Sequence, residues 1–452
     1  MAEQSPTLKL HQVHHVSPPP ETPPTSLPFT FFDVLWLRFP PVERLFFYPL
    51  SNTSFFDTVL PNLKASLSLT LHHFPTLAGT ITWPQSSPLP LITYVPGNTV
   101  PLTVTQSHAC FNTLSSNLCE ASQRQRFVPH LTSSHEQASV LALQVTLFPN
   151  QGFCLGITTH HAVLDGKSST LFLKAWAHLC SHSHLQNPPS LPKHLTPSFD
   201  RSMIRDPSGI GEAYANSWLN FGGEANNRSL KAWGSLDGVQ NDVVKGFFEL
   251  GPSHIQKLKK LAESKVVGKK VKVTSFSVTC GYVLACAVKV DTPKRDKAAF
   301  VITVDCRGRL DAVISETYFG NCVVPKMVVV EKSELLGEDG FVKGVEGISE
   351  VLRGLEESGA LHDAENWMKK IQGVLGDRLF SVAGSPRFEV YGIDFGFGRP
   401  KKVDVTSIDK TGAFSLSECR DQGGIEIGLA LTKDQMEEFS RLFNQGLESL
   451  LE

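Results

Sequence analysis

The segment Thr159-His160-His161-Ala162-Val163-Leu164-Asp165-Gly166 sets an imidazole four residues ahead of a carboxylate, with a glycine directly after. Histidine titrates close to neutral pH, so a neutral ring can take the proton of a hydroxyl as that oxygen attacks a carbonyl. The carboxylate can turn back to brace the loop. On spacing alone, a hydrogen-bonded core histidine is the commoner outcome of such a pattern. His160 is adjacent on the strand and faces the opposite side, so it packs into the sheet and takes no catalytic role. A second segment, Tyr391-Gly-Ile-Asp394-Phe395-Gly396-Phe397-Gly398-Arg-Pro400, places two aromatics and two glycines behind a carboxylate. That composition suits a tight, buried loop better than a reactive centre. The pair His72-His73 and the histidines near residue 180 lack a carboxylate or cysteine at ligand spacing, and no metal site is expected.

Elements with clear periods must hold these residues. Leu141, Leu143, Val145 and Leu147 alternate, Pro149-Asn-Gln-Gly152 turns the chain, and Phe153, Leu155 and Ile157 alternate again, which predicts a hairpin. Leu171, Phe172, Ala175, Trp176 and Leu179 have helical spacing, so a helix runs from near Gly166 to near 182. The strand therefore hands over to the helix at 158–166, where His161 lies. Ser253-x-x-Gln256 and Thr432-x-x-Gln435 read as capping boxes opening helices, and Ile425 to Leu431 reads as a strand.

Charge divides the 452 residues. Of 86 Asp, Glu, Lys and Arg, only 17 fall in the first 195 residues, and none lies between Lys64 and Glu120. This threefold change in density predicts two domains, 1–195 and 229–452, joined by a crossover linker, 196–228. A net charge of −2 fits neither a nucleic-acid binder nor a disordered acidic chain. The longest apolar run, Val278–Val288, is shorter than the roughly 20 residues of a membrane span. Nine scattered cysteines, none in C-x-x-C spacing, predict neither a disulfide framework nor a zinc site, and the N-terminus has no targeting pattern, so a cytoplasmic protein is expected.

Together, H-x-x-x-D-G at 161 and D-F-G-x-G at 394 resemble the BAHD family of plant acyl-CoA-dependent acyltransferases. Further matches are Leu27-Pro-Phe-Thr-Phe-Phe-Asp33, His73-Phe-Pro-Thr-Leu-Ala-Gly79, Phe199-Asp-Arg201 with Asp206-Pro207, and Val304-Asp-Cys-Arg307-Gly-Arg309-Leu310. Tyr318-Phe-Gly-Asn-Cys322 resembles the signature of the clade that acylates flavonoid and phenolic glucosides, mostly with malonyl groups. One departure is Phe397, where the family's loop usually has tryptophan.

The resemblance implies an α/β fold with mixed sheets: two similar chloramphenicol-acetyltransferase-like domains with a channel between them. It implies His161 as general base, Asp165 as a support paired with an arginine, Gly166 beside it, and Asp394 as a structural carboxylate whose ion-pair partner is Arg307 or Arg309. Lys272, Thr274 and Ser275, at the end of a run of seven lysines from Lys257, are the expected CoA contacts. A malonyl thioester carries a free carboxylate that a guanidinium can hold in a charge-assisted pair, and Arg387 is the candidate. The expected activity is transfer of malonyl from malonyl-CoA to a sugar hydroxyl, the 6-OH, of a flavonoid, isoflavone or other phenolic glucoside. Acetyl- or hydroxycinnamoyl-CoA donors are the alternatives, and a non-catalytic binding protein on the same scaffold is a third reading. The expected partners are the acyl-CoA donor and the glucoside acceptor. A monomer is expected, with no cofactor, metal, nucleic acid or covalent intermediate.

Overall fold

The computed structural model describes residues 7–50, 54–183, 190–223, 226–233, 242–266, 270–291, 295–374, 379–421 and 423–450. The predicted hairpin is present as Leu141–Phe148 and Gly152–Thr159, paired antiparallel from Gly152 opposite Phe148 to Thr159 opposite Leu141. Asn150 takes a left-handed φ of 59° at the turn, which asparagine tolerates better than most residues. Both strands are buried on both faces, as the centre of a covered sheet requires. That sheet has six strands in the order Lys9–Val16, Val100–Gln106, Leu141–Phe148, Gly152–Thr159, Val42–Pro49, Lys402–Val405. A second sheet has seven: Val323–Glu331, Lys297–Asp305, Phe380–Gly384, Phe414–Glu418, Ile425–Thr432, Val243–Leu250, Leu118–Glu120. Both mix parallel and antiparallel pairs, and a small four-stranded sheet flanks them.

The last strand of each large sheet comes from the other half of the chain. Lys402–Val405 pairs with Val42–Pro49, and Leu118–Glu120 pairs with Val243–Leu250. Charges fix this exchange. Asp404 on the crossing strand meets Arg124 at 2.9 Å and Lys245 at 3.2 Å, Lys245 meets Asp409 at 2.6 Å, and Lys402 meets Glu426 at 2.8 Å. All are buried, so removing any one partner strands a charge and typically costs about 3–5 kcal/mol. We propose 1–195 and 229–452 as the two units, joined by 196–228, each lending the other one strand.

The predicted helix is Gly166–Ser181, and the final helix, Lys433–Glu448, opens on the expected Thr432–Gln435 capping box. The box expected at Ser253 and Gln256 does not form. That helix starts at Pro252 after Gly251 without a side-chain cap, because proline at the first position is already preorganised and has no N–H to satisfy. The apolar run at 278–288 lies in helix Ser275–Val290, which packs against helices Pro252–Lys265, Gly340–Ser358 and Lys433–Glu448. Among the described residues no helix is long and apolar enough to cross a membrane.

Candidate active site

His161 sits where strand Gly152–Thr159 ends, in the turn before helix Gly166–Ser181. Asp165 is that helix's N-cap, and one of its oxygens accepts from Ser168 N at 2.9 Å. The other accepts from Cys322 N at 3.0 Å and lies 2.9 Å from Arg307 Nη2. Its lone pairs are thus spent on the helix start and on the opposite half of the chain, not on the imidazole. Arg307 is fully buried. It also reaches Asp305 at 2.8 Å and donates to Ser168 Oγ and the Tyr318 carbonyl at 3.1 Å each. Asp165 and Asp305 hold it firmly protonated against the cost of burial.

Three segments distant in sequence, 33–39, Arg201 and Asn321, gather around the histidine. Asn321 Nδ2 donates to the backbone carbonyl of His161 at 3.0 Å, and the Asn321 amide and side chain both donate to Asp33 Oδ1, at 3.1 and 3.2 Å. Asp33 in turn pairs with Arg201 at 2.8 Å. The indole of Trp36 stacks on the imidazole with centroids 4.5 Å apart and planes 18° apart, and Phe39 meets it edge-on at 6.3 Å. Nδ1 of His161 is buried and bonded to no other described residue, leaving Nε2 as the nitrogen open to a hydroxyl. Burial pushes the ring's pKa down to about 4, against smaller opposing contributions from its own backbone and Asp165. The ring is therefore neutral at physiological pH and can accept a proton. His160 is buried beside it, accepts from Ala162 N, and is pushed down to about 3.

The 394 loop lies elsewhere. Asp394 Oδ1 accepts from Gly396 N at 2.8 Å and Gly398 N at 2.9 Å, and both glycines take positive φ, 92° and 99°. Phe395 is buried between Trp176 and Tyr48, and Phe397 lies 6.5 Å from Phe153. A Cβ on Gly396 would approach Ser181 Cα to 3.1 Å, so the loop packs on the far end of the helix that Asp165 starts. Fifteen residues of helix put that end about 20 Å from Gly166. The expected ion pair between Asp394 and Arg307 or Arg309 is therefore corrected. Arg307 is committed to Asp165 at the opposite end of the helix, Arg309 donates to the Asp305 carbonyl at 3.1 Å, and no cation among the described residues pairs with Asp394.

The expected donor contacts have local duties. Lys272 pairs with Glu356 at 2.7 Å, and Thr274 caps helix Ser275–Val290, accepting from Ser277 N at 3.0 Å, with Ser275 in the first turn. Beside them lies a hollow of about 410 Å³ lined by Lys270, Lys272, Ser349, Arg353 and Glu356. Arg387 is exposed in the turn Pro386–Phe388. Glu389, its nearest acidic neighbour in sequence, pairs instead with Lys174 at 2.9 Å. Phe388 closes on the helix start, 2.8 Å from where a Cβ on Gly166 would be, so any larger residue there has to push the Phe388 ring aside. Among the described residues no group of three or more His, Cys, Asp or Glu could hold a metal ion. Sequence reasoning gave no role to Trp36, Asp33 or Asn321, although all three lie in or beside segments whose motifs it had matched.

Two mixed sheets exchanging strands around a half-buried histidine make this a chloramphenicol-acetyltransferase-like acyltransferase fold. Vinorine synthase, a crystal structure, matches with a TM-score of 0.69 over 96% of each chain at 19% identity. The Transferase family model matches residues 7–445, and the chain belongs to that family, the acyl-CoA-dependent BAHD acyltransferases. Among its relatives are a malonyl-CoA:anthocyanidin 5-O-glucoside-6''-O-malonyltransferase of Arabidopsis thaliana, 38% identical over 98% of both chains. Another is an agmatine coumaroyltransferase of the same plant, 35% identical over 96% of this chain and 98% of its own.

Proposed function

We propose that the protein transfers a malonyl group from malonyl-CoA to a sugar hydroxyl, the 6-OH, of a flavonoid, isoflavone or other phenolic glucoside. The observation that carries the chemistry is a neutral His161 with Nδ1 enclosed and Nε2 open, its backbone carbonyl fixed by Asn321. Nε2 takes the proton of the acceptor hydroxyl as the oxygen adds to the thioester carbonyl. When the tetrahedral adduct collapses, the C–S bond breaks and the imidazolium returns the proton to the CoA sulfur. No covalent acyl-enzyme and no metal enters this sequence. Asp165 supports the turn through Arg307, and Asp394 shapes the distant loop.

The malonyl donor and glucoside acceptor follow from the Tyr318–Cys322 segment and the anthocyanidin glucoside relative. The 6-OH is the sugar's primary, least hindered hydroxyl. Lys272, Thr274 and Ser275, with the hollow that adds Lys270 and Arg353, supply cations and a helix N-terminus for the phosphates of CoA. Arg387 holds the malonyl carboxylate. The protein works as a cytoplasmic monomer on two diffusible substrates. The coumaroyltransferase relative favours a second reading, a hydroxycinnamoyl donor. Incubation with malonyl-, acetyl- and coumaroyl-CoA against a panel of phenolic glucosides, read by mass, decides between them. A glucoside 86 Da heavier is the expected product, and coumaroyl transfer in its place overturns the malonyl reading.

A further inference from the structure

The imidazole of His161 has two aromatic partners, Trp36 stacked on it and Phe39 edge-on, and both come from a segment that touches neither the hairpin nor the helix start in sequence. Trp36 follows the short helix Phe31–Val34, whose Thr30–Asp33 capping box fixes the entering chain. The Trp36 amide donates to the Asp33 carbonyl at 3.1 Å, and the Trp36 carbonyl accepts from Phe39 N at 3.1 Å, so a tight turn presents the indole. Phe39 packs edge-on to it at 5.1 Å. Trp36 is 7% exposed, and its Nε1 finds no acceptor among the described residues, so packing alone sets the ring. What it packs on is the base: 4.5 Å between centroids and 18° between planes.

Asp33 ties that turn to the other side of the histidine. Its Oδ1 holds Asn321, and Asn321 holds the His161 carbonyl. One short segment thus supplies a stacking wall for the ring and, through Asn321, a clamp on its backbone. Nδ1 has no hydrogen-bond partner on any other described residue, so beyond the residue's own backbone it is packing that limits the ring's rotation. A stacked indole does so by excluding every tilt that would clash, and it keeps water off that face. We infer that Trp36 is a positioning residue for the general base, setting the plane of the His161 ring and keeping that face dry. This rests on the reading of His161 as the base.

The charged and titratable groups around the ring are Asp165 and His160 on its own turn, Arg44 on the neighbouring strand beside Asp165 and Gly166, Asp33 with Arg201 beside the Trp36 segment, and Arg307 and Cys322 from the opposite half. A substitution at Trp36 leaves all of them in place, so a change in the ring's titration reports the lost wall. Trp36→Phe keeps an aromatic face. Trp36→Ala admits water, and Trp36→Gln brings a polar amide against the ring should the alanine variant fold poorly. Folding is checked by circular dichroism and melting, and the pH dependence of kcat/KM is measured for each variant beside His161→Ala. The expected result for Ala or Gln is a kcat at least about tenfold lower and an acid limb moved up by about one pH unit towards ordinary histidine, with Phe close to wild type. A folded Ala or Gln variant with the wild-type acid limb overturns the inference, as does a Phe variant that shifts as far as Ala. Undiminished turnover in His161→Ala would instead overturn the reading of the base.

Discussion

Arg307 Nη2 lies 2.9 Å from Asp165 Oδ2, and both side chains are buried where the two halves of the chain meet. The carboxylate that the H-x-x-x-D pattern sets beside His161 is therefore a rivet between halves. It fixes the turn that presents His161, while the imidazole's Nδ1 has no carboxylate partner. The arrangement is unlike a Ser-His-Asp triad, in which the acid orients the ring by a direct bond.

Asp165→Asn leaves the Arg307 charge with only the half-exposed Asp305 as a carboxylate partner. Losing one partner of a buried pair costs about 3–5 kcal/mol, so a marked fall in melting temperature should accompany the fall in turnover. Thermal melting read beside kcat checks this. A variant as stable as wild type yet inactive would mean that Asp165 acts on the chemistry directly.

His161→Ala should lower kcat by roughly 10²–10⁴-fold with the fold intact. In the wild type the ring, pushed down to about 4, stays neutral through the physiological range. The plot of kcat/KM against pH should be level from neutrality down to about pH 5, with the acid limb near 4 rather than near 6.5. A limb at the ordinary histidine value would mean that the ring is wetter than its surroundings indicate.

The same burial makes stability depend on pH. His160 and His161 are held neutral when folded, at about 3 and about 4, and both bind protons below about 6.5 once the chain unfolds. Their contribution is complete above the unfolded value and declines as pH falls from there towards 4, approaching about 1.4 kcal/mol per pH unit for each ring. Chemical denaturation at pH 7, 6 and 5 should show that slope, and His161→Ala should make it shallower. An unchanged slope in the variant would contradict the assignment.

Asp394→Ala removes the acceptor of two loop amides but strands no cation, because Arg307 lies with Asp165 at the other end of the helix. The expected cost is about 1–3 kcal/mol, less than for Asp165, with kcat largely kept once the protein is folded. Complete inactivation at an unchanged melting temperature would give Asp394 a chemical role.

Period and cap chemistry made the hairpin, the strand-to-helix turn, helix Gly166–Ser181 and the Thr432 cap legible, because each is set by neighbours in sequence. The exchanged strands were not, since Lys402–Val405 has four residues and Leu118–Glu120 three, too few to show an alternation. Arg307 was expected at Asp394 and stands instead at Asp165, for a related reason. Arg307 could be matched to either motif carboxylate by residue type, and only the length of the helix between them decides. Trp36 carried no signal of its own, because a tryptophan in an aromatic-rich segment reads as core until its ring is seen against the imidazole.

Arg387 tests the donor. Its side chain is exposed, with Glu389 engaged by Lys174, so it is available to a ligand carboxylate, and its neighbour Phe388 packs on the start of the helix that follows His161. If it holds the malonyl carboxylate, Arg387→Ala removes a charge-assisted hydrogen bond worth about 1.5–3 kcal/mol, roughly 10–150-fold in kcat/KM for malonyl-CoA. Acetyl-CoA lacks the carboxylate and should lose far less, so the ratio of the two donors moves towards acetyl. Comparing donors within one variant matters, because a folding defect depresses both together. Steady-state kinetics with both donors and one glucoside decides the point: an equal fall for the two, or none for either, means that another cation receives the malonyl group or that the natural acyl group carries no charge.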